Sequence, residues 1–416
     1  MKKRIFLGFL VPMVAVAFLA GFSTAALAAK IKIGGIMDTT GATSDVGKDY
    51  AIGMEEAWKY INEQGGINGK KVKYTWFDYG YRIPEAITKY KLLKRLRSIV
   101  IMGWGTGDTE ALSPTVNKDK IPYVSASYSA HLTDPKKTRY NLFFSSDYST
   151  NARAALTAWL DKKWPTKPDY GKRKPRFACA YMFASPYCSA PIKAIKDHAA
   201  MLGFEIGPDQ DVSLFALDTK SQIMALKEFK PDVVWHGNTT MSVAATMRDA
   251  YALGLGADFI INNWGFDENL PRLAGEAADN LVVMGATPCA FFGQNYKNMD
   301  IVVRTAKKYN PGIPTSKRLI RTIQAWGDAL ITWEALKRAD KAGDLSGPGI
   351  MTKGFETMRK FDIGLGASPI TFTATDHRPT TGCLIQEWKN GKFVEVERVD
   401  LKKRWPAKWA KEWLGW

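Results

Sequence analysis

The chain has 416 residues, with 58 Lys and Arg against 41 Asp and Glu for a formal net charge of +17. That length exceeds what one hydrophobic core usually serves, so more than one lobe is expected. The basic residues are spread along the chain, with local excess only at 162–176 and 402–411, which reads as a solvated surface and excludes a dedicated nucleic-acid tract.

The elements, in chain order, begin with a secretory signal at 1–28. Lys2, Lys3 and Arg4 form its charged start, an apolar run covers 5–21, and Ala26-Leu27-Ala28 offers a small-residue cleavage site. No later stretch reaches the ~18 uninterrupted apolar residues of a membrane-spanning helix. The mature protein is therefore expected to start near Ala29 and to be exported, which further argues against a nucleic-acid partner. Its length would be 388 residues (416 − 28) and its net charge +14 (17 − 3).

Residues 31–37 read as a short buried strand, followed by a small-residue loop at 38–47. Tyr50, Met54, Ala57, Trp58 and Ile61 recur at three- and four-residue spacing and predict a helix with one buried face. Gly65-Gly66 ends that helix, Asn68-Gly69 turns the chain, and 72–77 is a second strand. A helix at 84–96 and a strand at 98–102 lead into Gly103-Trp104-Gly105-Thr106-Gly107-Asp108. The strand at 121–124 enters Ser125-Ala126-Ser127-Tyr128-Ser129. Small hydroxyl-rich loops after successive strands gather on one edge of a parallel sheet, where ligands of open α/β sheets bind.

A strand at 142–146 then meets Asp147 and a helix through 154–160. The Pro/Lys-rich segment 162–175 reads as a surface insertion. The alternation restarts with strands at 176–182, 233–235, 259–262 and 281–284 and a short strand from Glu205. Helices are expected at 185–202, 220–229, 241–253 and 271–278. Further helices are expected at 299–309, 317–339 and 349–360, a crossing segment at 361–372, and a hairpin of 382–388 and 393–399 around Asn390-Gly391. Trp405, Trp409 and Trp413 would align on a helix and are expected to pack back onto a lobe.

Catalysis has no visible residue set. His131, His198, His236 and His377 show no HExxH spacing, Cys179, Cys188, Cys289 and Cys383 show no CxxC, and no Walker A loop or GxSxG elbow occurs. Neither a metal nor a cofactor is expected, and the cysteines are read as buried free thiols. The one enzyme-like signal, Gly103-x-Gly105-x-Gly107 after a strand, lacks the dinucleotide spacing and carries Asp108 where pyrophosphate would sit. A nucleotide-dependent enzyme is therefore the reading set aside. As a binding loop, backbone N–H groups and hydroxyls at a helix start suit a carboxylate.

The run TGATSDVGKDYAIGMEEAWKYINEQGGINGKKVKY, with Asn62, Gly65, Gly66, Ile67, Asn68 and Gly69 after the helix, resembles the opening of the branched-chain amino acid-binding proteins of ABC transporters. Leu273 to Ala278 ahead of Leu281-Val282-Val283, and Pro369-Ile370-Thr371-Phe372, extend the similarity over most of the mature chain. The resemblance implies an α/β fold of two Rossmann-like lobes with parallel sheets, joined by a three-strand hinge with the ligand cleft between them. One lobe would take 29–146 plus about 287–365, and the other 147–286 plus about 366–416. It implies a periplasmic, monomeric, non-enzymatic protein that captures a small molecule by hinge closure and delivers it to a membrane permease.

Carried over residue by residue, Thr106, Ser127 and Ser129 match positions that hold the ligand carboxylate, beside Gly107 and Asp108. Tyr187 matches a ligand-facing tyrosine and Asp147 a polar hinge residue. Thr239 adds a hydroxyl ahead of a helix. The sequence departs from the family at Asn262-Asn263-Trp264-Gly265, where the amino-acid binders place an acid for the ligand ammonium; Asp267 and Glu268 follow a few residues later. Val46 or a neighbour replaces a first-loop tyrosine. Trp104 and Trp264 bring flat apolar area to opposite sides of the cleft. With Asn263 and Trp264 in place of the acid, the expected ligand is an aromatic or other apolar carboxylate with no obligatory amino group. A branched-chain or other amino acid is the alternative.

Overall fold

Residues 30–416 are described by the computed structural model, so the signal expected at 1–28 lies outside the described residues. The first sheet holds β1 (Ile31–Met37), β2 (Val72–Asp78), β3 (Val100–Gly103), β4 (Tyr123–Ser125) and β5 (Asn141–Leu142), in the order β2-β1-β3-β4-β5. All of its pairings are parallel. Its connections are α1 (Ser44–Glu63), α2 (Ile83–Arg95), α3 (Thr106–Asp119) and the single turn α4 (Pro135–Thr138).

The second lobe starts with α5 (Tyr148–Lys162) and alternates β6 (Arg176–Tyr181), α6 (Pro186–Ser189), α7 (Ile192–Met201), β7 (Glu205–Asp211), α8 (Lys220–Phe229), β8 (Val233–His236), α9 (Thr240–Ala252), β9 (Asp258–Ile261), α10 (Asn269–Ala274), α11 (Glu276–Asn280) and β10 (Val283–Thr287). The chain then returns to the first lobe as α12 (Met299–Tyr309) and α13 (Ile320–Lys341), both packed on α1. It continues as the turn α14 (Gly347–Gly349), and β11 (Gly382–Lys389) and β12 (Lys392–Asp400) complete a seven-stranded sheet, β12-β11-β10-β9-β8-β6-β7. Only β11 and β12 run antiparallel to their neighbours. Asn390 (φ 52°) and Gly391 (φ 74°) make their turn, as a two-residue hairpin requires. The short helices α15 (Leu401–Arg404) and α16 (Pro406–Lys411) end the chain.

The opening unit folds as its pattern dictates. Tyr50, Met54, Ala57, Trp58 and Ile61 are all buried, facing the sheet and α13. The helices approach so closely at Gly53 that a Cβ there would lie 2.7 Å from the Thr322 backbone. Asn62 ends the helix by pairing both ends of its amide with β2: Nδ2 donates to the Val72 carbonyl at 2.9 Å, and Oδ1 accepts from the Val72 N–H at 2.7 Å. The asparagine before Gly65-Gly66 thus fixes where the second strand begins. A buried bidentate pair, Arg318 to Glu56 at 2.8 Å, ties α1 to the start of α13.

Several sequence expectations need correction. The three inter-lobe segments (143–147, 288–298 and 358–381) are irregular and not strands. Residues 361–372 cannot be a strand because Gly364, Leu365 and Gly366 all have positive φ; one isolated pairing, Phe361 with Ile370, is all that forms. The strand expected over 142–146 stops at Leu142, and Phe144 instead donates its N–H to the buried Asp328 carboxylate of α13 at 3.1 Å. The helix at 185–202 is two helices, and that at 271–278 breaks at Gly275 (φ 58°). The segment at 349–360 is a π-type and a 3-10 turn.

The segment 162–175 is anchored, with Trp164 buried against Trp159 and Lys167 paired to Asp258 at 2.6 Å. Of the C-terminal tryptophans only Trp409 lies in a helix, α16; Trp405 falls between α15 and α16, and Trp413 lies beyond them. Trp409 and Trp413 are buried, with Arg378 and Arg153 over their rings. All four cysteines are buried and free.

Candidate functional site

A cavity lies between the lobes at the carboxyl ends of their strands. The first lobe lines it with Thr43, Val46, Tyr81, Trp104, Gly105, Thr106 and Ala126; Tyr148, Tyr187, Thr239 and Trp264 close it from the second. It offers about 250 Å³ of space, part of it open to solvent. Aromatic rings from the two lobes meet across it.

Those rings are positioned by hydrogen bonds at their polar ends. Trp104, in the turn from β3 to α3, donates Nε1–H to the Thr43 hydroxyl at 2.8 Å. Trp264, after β9, donates Nε1–H to the Tyr148 hydroxyl at 3.0 Å. Tyr187 donates to the Asn262 Oδ1 at 3.2 Å. Trp104 and Trp264 meet edge to face with centroids 4.9 Å apart, and Trp264 lies against Tyr128 at 5.8 Å and 27°. The two indoles thus touch, and the slot expected between them is not open. Arg321 of α13 sits 4.9 Å from the Trp264 ring centroid.

The eleven candidate residues divide. Trp104, Thr106, Tyr187, Thr239 and Trp264 line the cavity. Ser127 stands just behind, its hydroxyl 2.8 Å from that of Thr106. Ser129 is directed elsewhere and donates to Glu110 at 2.7 Å. Gly107 lies where the lobes touch: a Cβ on it would come within 3.4 Å of Ile83 and of Pro186. Asp108 is a buried structural acid accepting from the Tyr79 hydroxyl at 2.7 Å; desolvation raises it to about 7. Asp147 caps α5 by accepting from the Thr150 N–H at 2.8 Å and its hydroxyl at 2.7 Å. Asn263 is buried with neither side-chain amide atom paired. It lies outside the cavity wall, as do Gly107, Asp108, Ser127, Ser129 and Asp147.

The acids after Trp264 are both engaged. Asp267 accepts from Arg321 at 3.1 Å and from the Thr240 hydroxyl at 2.7 Å, with both ionic partners fully buried. Glu268 accepts from the Phe292 and Ile320 N–H groups at 2.9 Å each. Neither is free to hold a ligand ammonium. Thr43, Val46, Tyr81, Gly105, Ala126 and Tyr148 complete the wall and were not among the candidate residues. Tyr81 stands just after β2, so the rule that led to Trp104 and Ser127 could have found it. Among the described residues no cluster of three or more His, Cys, Asp and Glu could hold a metal.

The chain matches the family model described as periplasmic binding protein over residues 30–392. It is 24% identical to the Leu/Ile/Val-binding protein of Escherichia coli (strain K12) over 312 residues, covering 73% of this chain and 81% of that one. A crystal structure of an ABC transporter substrate-binding protein from Aeropyrum pernix superposes with TM-score 0.78 at 31% identity, covering 89% of this chain and 96% of the other. A branched-chain amino acid ABC transporter protein from Thermus thermophilus with bound valine has TM-score 0.81 at 23% identity, covering 91% and 99%, and shares the fold.

Proposed function

The chain belongs to the periplasmic binding protein family, and from that premise we propose that it captures a small organic acid with a flat apolar body between its lobes and delivers it to the permease of an ABC importer. One observation carries this reading. The inter-lobe cavity is walled from both sides by Trp104, Tyr148, Tyr187 and Trp264, with Thr43, Thr106 and Thr239 as polar points and no charged side chain in the wall. Aromatic walls with a few placed hydroxyls select an apolar body with one polar end.

The Thr106 hydroxyl and the N–H groups that open α3 form the pole for the carboxylate. They lie at a helix N-terminus, where backbone donors and the helix dipole favour a negative charge. Ser127 orients the Thr106 hydroxyl from behind. Capture requires the lobes to part along the three irregular connections, admit the ligand and close again. The Trp104–Trp264 contact must open for a ring to enter, so the ligand takes the place of an indole edge. A thermal-shift screen over aromatic acids, short-chain acids and amino acids, followed by calorimetric titration, tests the reading. Aromatic or branched apolar acids should bind. Stabilisation by sugars or inorganic ions alone, with no acid bound, would contradict it.

A further inference from the structure

Strand β2 ends in a tight turn, in which the Arg82 N–H donates to the Tyr79 carbonyl at 3.2 Å. Both central residues have positive φ, Gly80 at 59° and Tyr81 at 57°. Glycine and asparagine ordinarily fill such positions, and a bulky side chain there is an outlier. The turn is pinned from outside. Asp78 accepts from the Thr39 N–H at 2.7 Å and the Thr40 hydroxyl at 2.5 Å, and the Tyr79 N–H donates to the Met37 carbonyl at 3.0 Å. A Cβ on Gly41 would lie 2.3 Å from the Gly80 carbonyl, so the loop after β1 packs directly on the turn. Strain held in place by its surroundings in this way concentrates at ligand sites.

The turn places Tyr81 in the wall of the inter-lobe cavity. Its Cε2, next to the carbon that bears the hydroxyl, would meet a Cβ on Gly105 at 2.6 Å. The phenol therefore stands against the residue that precedes Thr106 and α3. Packing on Gly105 and on Tyr79, with ring centroids 6.1 Å apart, accounts for the ring but not for the hydroxyl. The other hydroxyls of the first-lobe wall are engaged: Thr43 donates to Asp38 at 2.7 Å, and Thr106 pairs with Ser127 at 2.8 Å. Tyr148 and Tyr187 are bonded to Trp264 and Asn262. The Tyr81 hydroxyl makes no hydrogen bond among the described residues, although the residue is only partly exposed. Burial, with the Asp108 charge, holds the phenol well above its usual value, so it keeps its proton and remains a donor.

We infer that Tyr81 is a specificity-determining residue of the site, and that its hydroxyl donates to the ligand carboxylate beside the start of α3. This rests on the proposed function and deepens it. The carboxylate pole then has a neutral donor committed to no protein acceptor, placed by the strained turn before any ligand arrives. A carboxylate accepts from such a donor more strongly than a neutral carbonyl or ether does, so the residue favours acids over their uncharged analogues. The same contact serves an amino acid and a plain organic acid alike, because both carry the carboxylate.

Tyr81→Phe tests it, because the ring and the turn stay and only the hydroxyl goes. Phenylpropionate, isocaproate, phenylalanine and leucine are titrated calorimetrically into the wild type and the variant, and the melting temperature of each protein is recorded without ligand. At least one of these acids should bind the wild type, and Tyr81→Phe should weaken that binding about tenfold to a hundredfold. The unliganded melting temperature should not change, since the hydroxyl has no protein partner. Equal affinity in the two proteins overturns the inference and leaves the proposed function standing. Weaker binding accompanied by a lower unliganded melting temperature would assign the hydroxyl to the fold and also overturns it. Binding of none of these acids to the wild type overturns the proposed function and the inference together.

Discussion

The two faces of the cleft differ in what their polar groups are bonded to. On the first lobe, the loops after β3 and β4 bond within their own lobe: Trp104 to Thr43, and Thr106 to Ser127. On the second, the loops after β8 and β9 leave Thr239, Asn262 and Asn263 with unpaired atoms, while Arg321 reaches across from α13 to hold Asp267 and the Asn263 carbonyl. The first face is held from within its own lobe, whereas the second is held in shape from the other lobe. Ligand should therefore act mainly on the second face, and mutations there should couple binding to lobe closure.

The largest effect should come from Trp264→Ala. The indole contacts Trp104, Tyr128, Tyr50 and Arg321 and is bonded to Tyr148. Its loss should cost about 3–5 kcal/mol of stability in urea unfolding and remove ligand binding in calorimetry. Arg321→Met breaks the support of the second face from the first. It strands Asp267 in a buried site and should cost about 3–5 kcal/mol; an unchanged unfolding midpoint would mean that the second face stands without it.

On the first face, Asp108 supplies a pH test. Its carboxyl is raised to about 7, so the folded protein holds this proton more tightly than the unfolded chain does. The associated stability is fully present below about pH 4 and is lost as pH rises towards 7, a fall of roughly 3–4 kcal/mol. Asp108→Asn can still accept from Tyr79 and should flatten that part of the profile of melting temperature against pH. The smallest effects separate the hydroxyls. Thr106→Ala should weaken acid binding by about 1.5–3 kcal/mol and Ser127→Ala by less, because it acts through Thr106. Ser129→Ala should leave titrations unchanged, since its hydroxyl serves Glu110.

What the sequence made legible follows from how local each signal is. The βαβ opening, the two lobes and the Asn390-Gly391 hairpin rest on periodicity and turn chemistry, and the structure has them. Thr106 and Tyr187, carried over from the family resemblance, and Trp104 and Trp264, read where the sequence departs from it, line one cavity. The expected roles of Ser129 and Asp108 fail because their partners, Glu110 and Tyr79, are set by packing that a loop of small residues does not disclose. The third inter-lobe segment is not a strand because Leu365, between Gly364 and Gly366, adopts a positive φ that its residue type does not advertise.

Enclosure of the ligand by closure of the lobes is open to small-angle X-ray scattering of the wild type, alone and saturated with an acid that raises its melting temperature. The radius of gyration should fall with ligand, with no such change in Trp264→Ala at the same concentration. Identical wild-type profiles at saturation, with binding verified by calorimetry in the same sample, would contradict it.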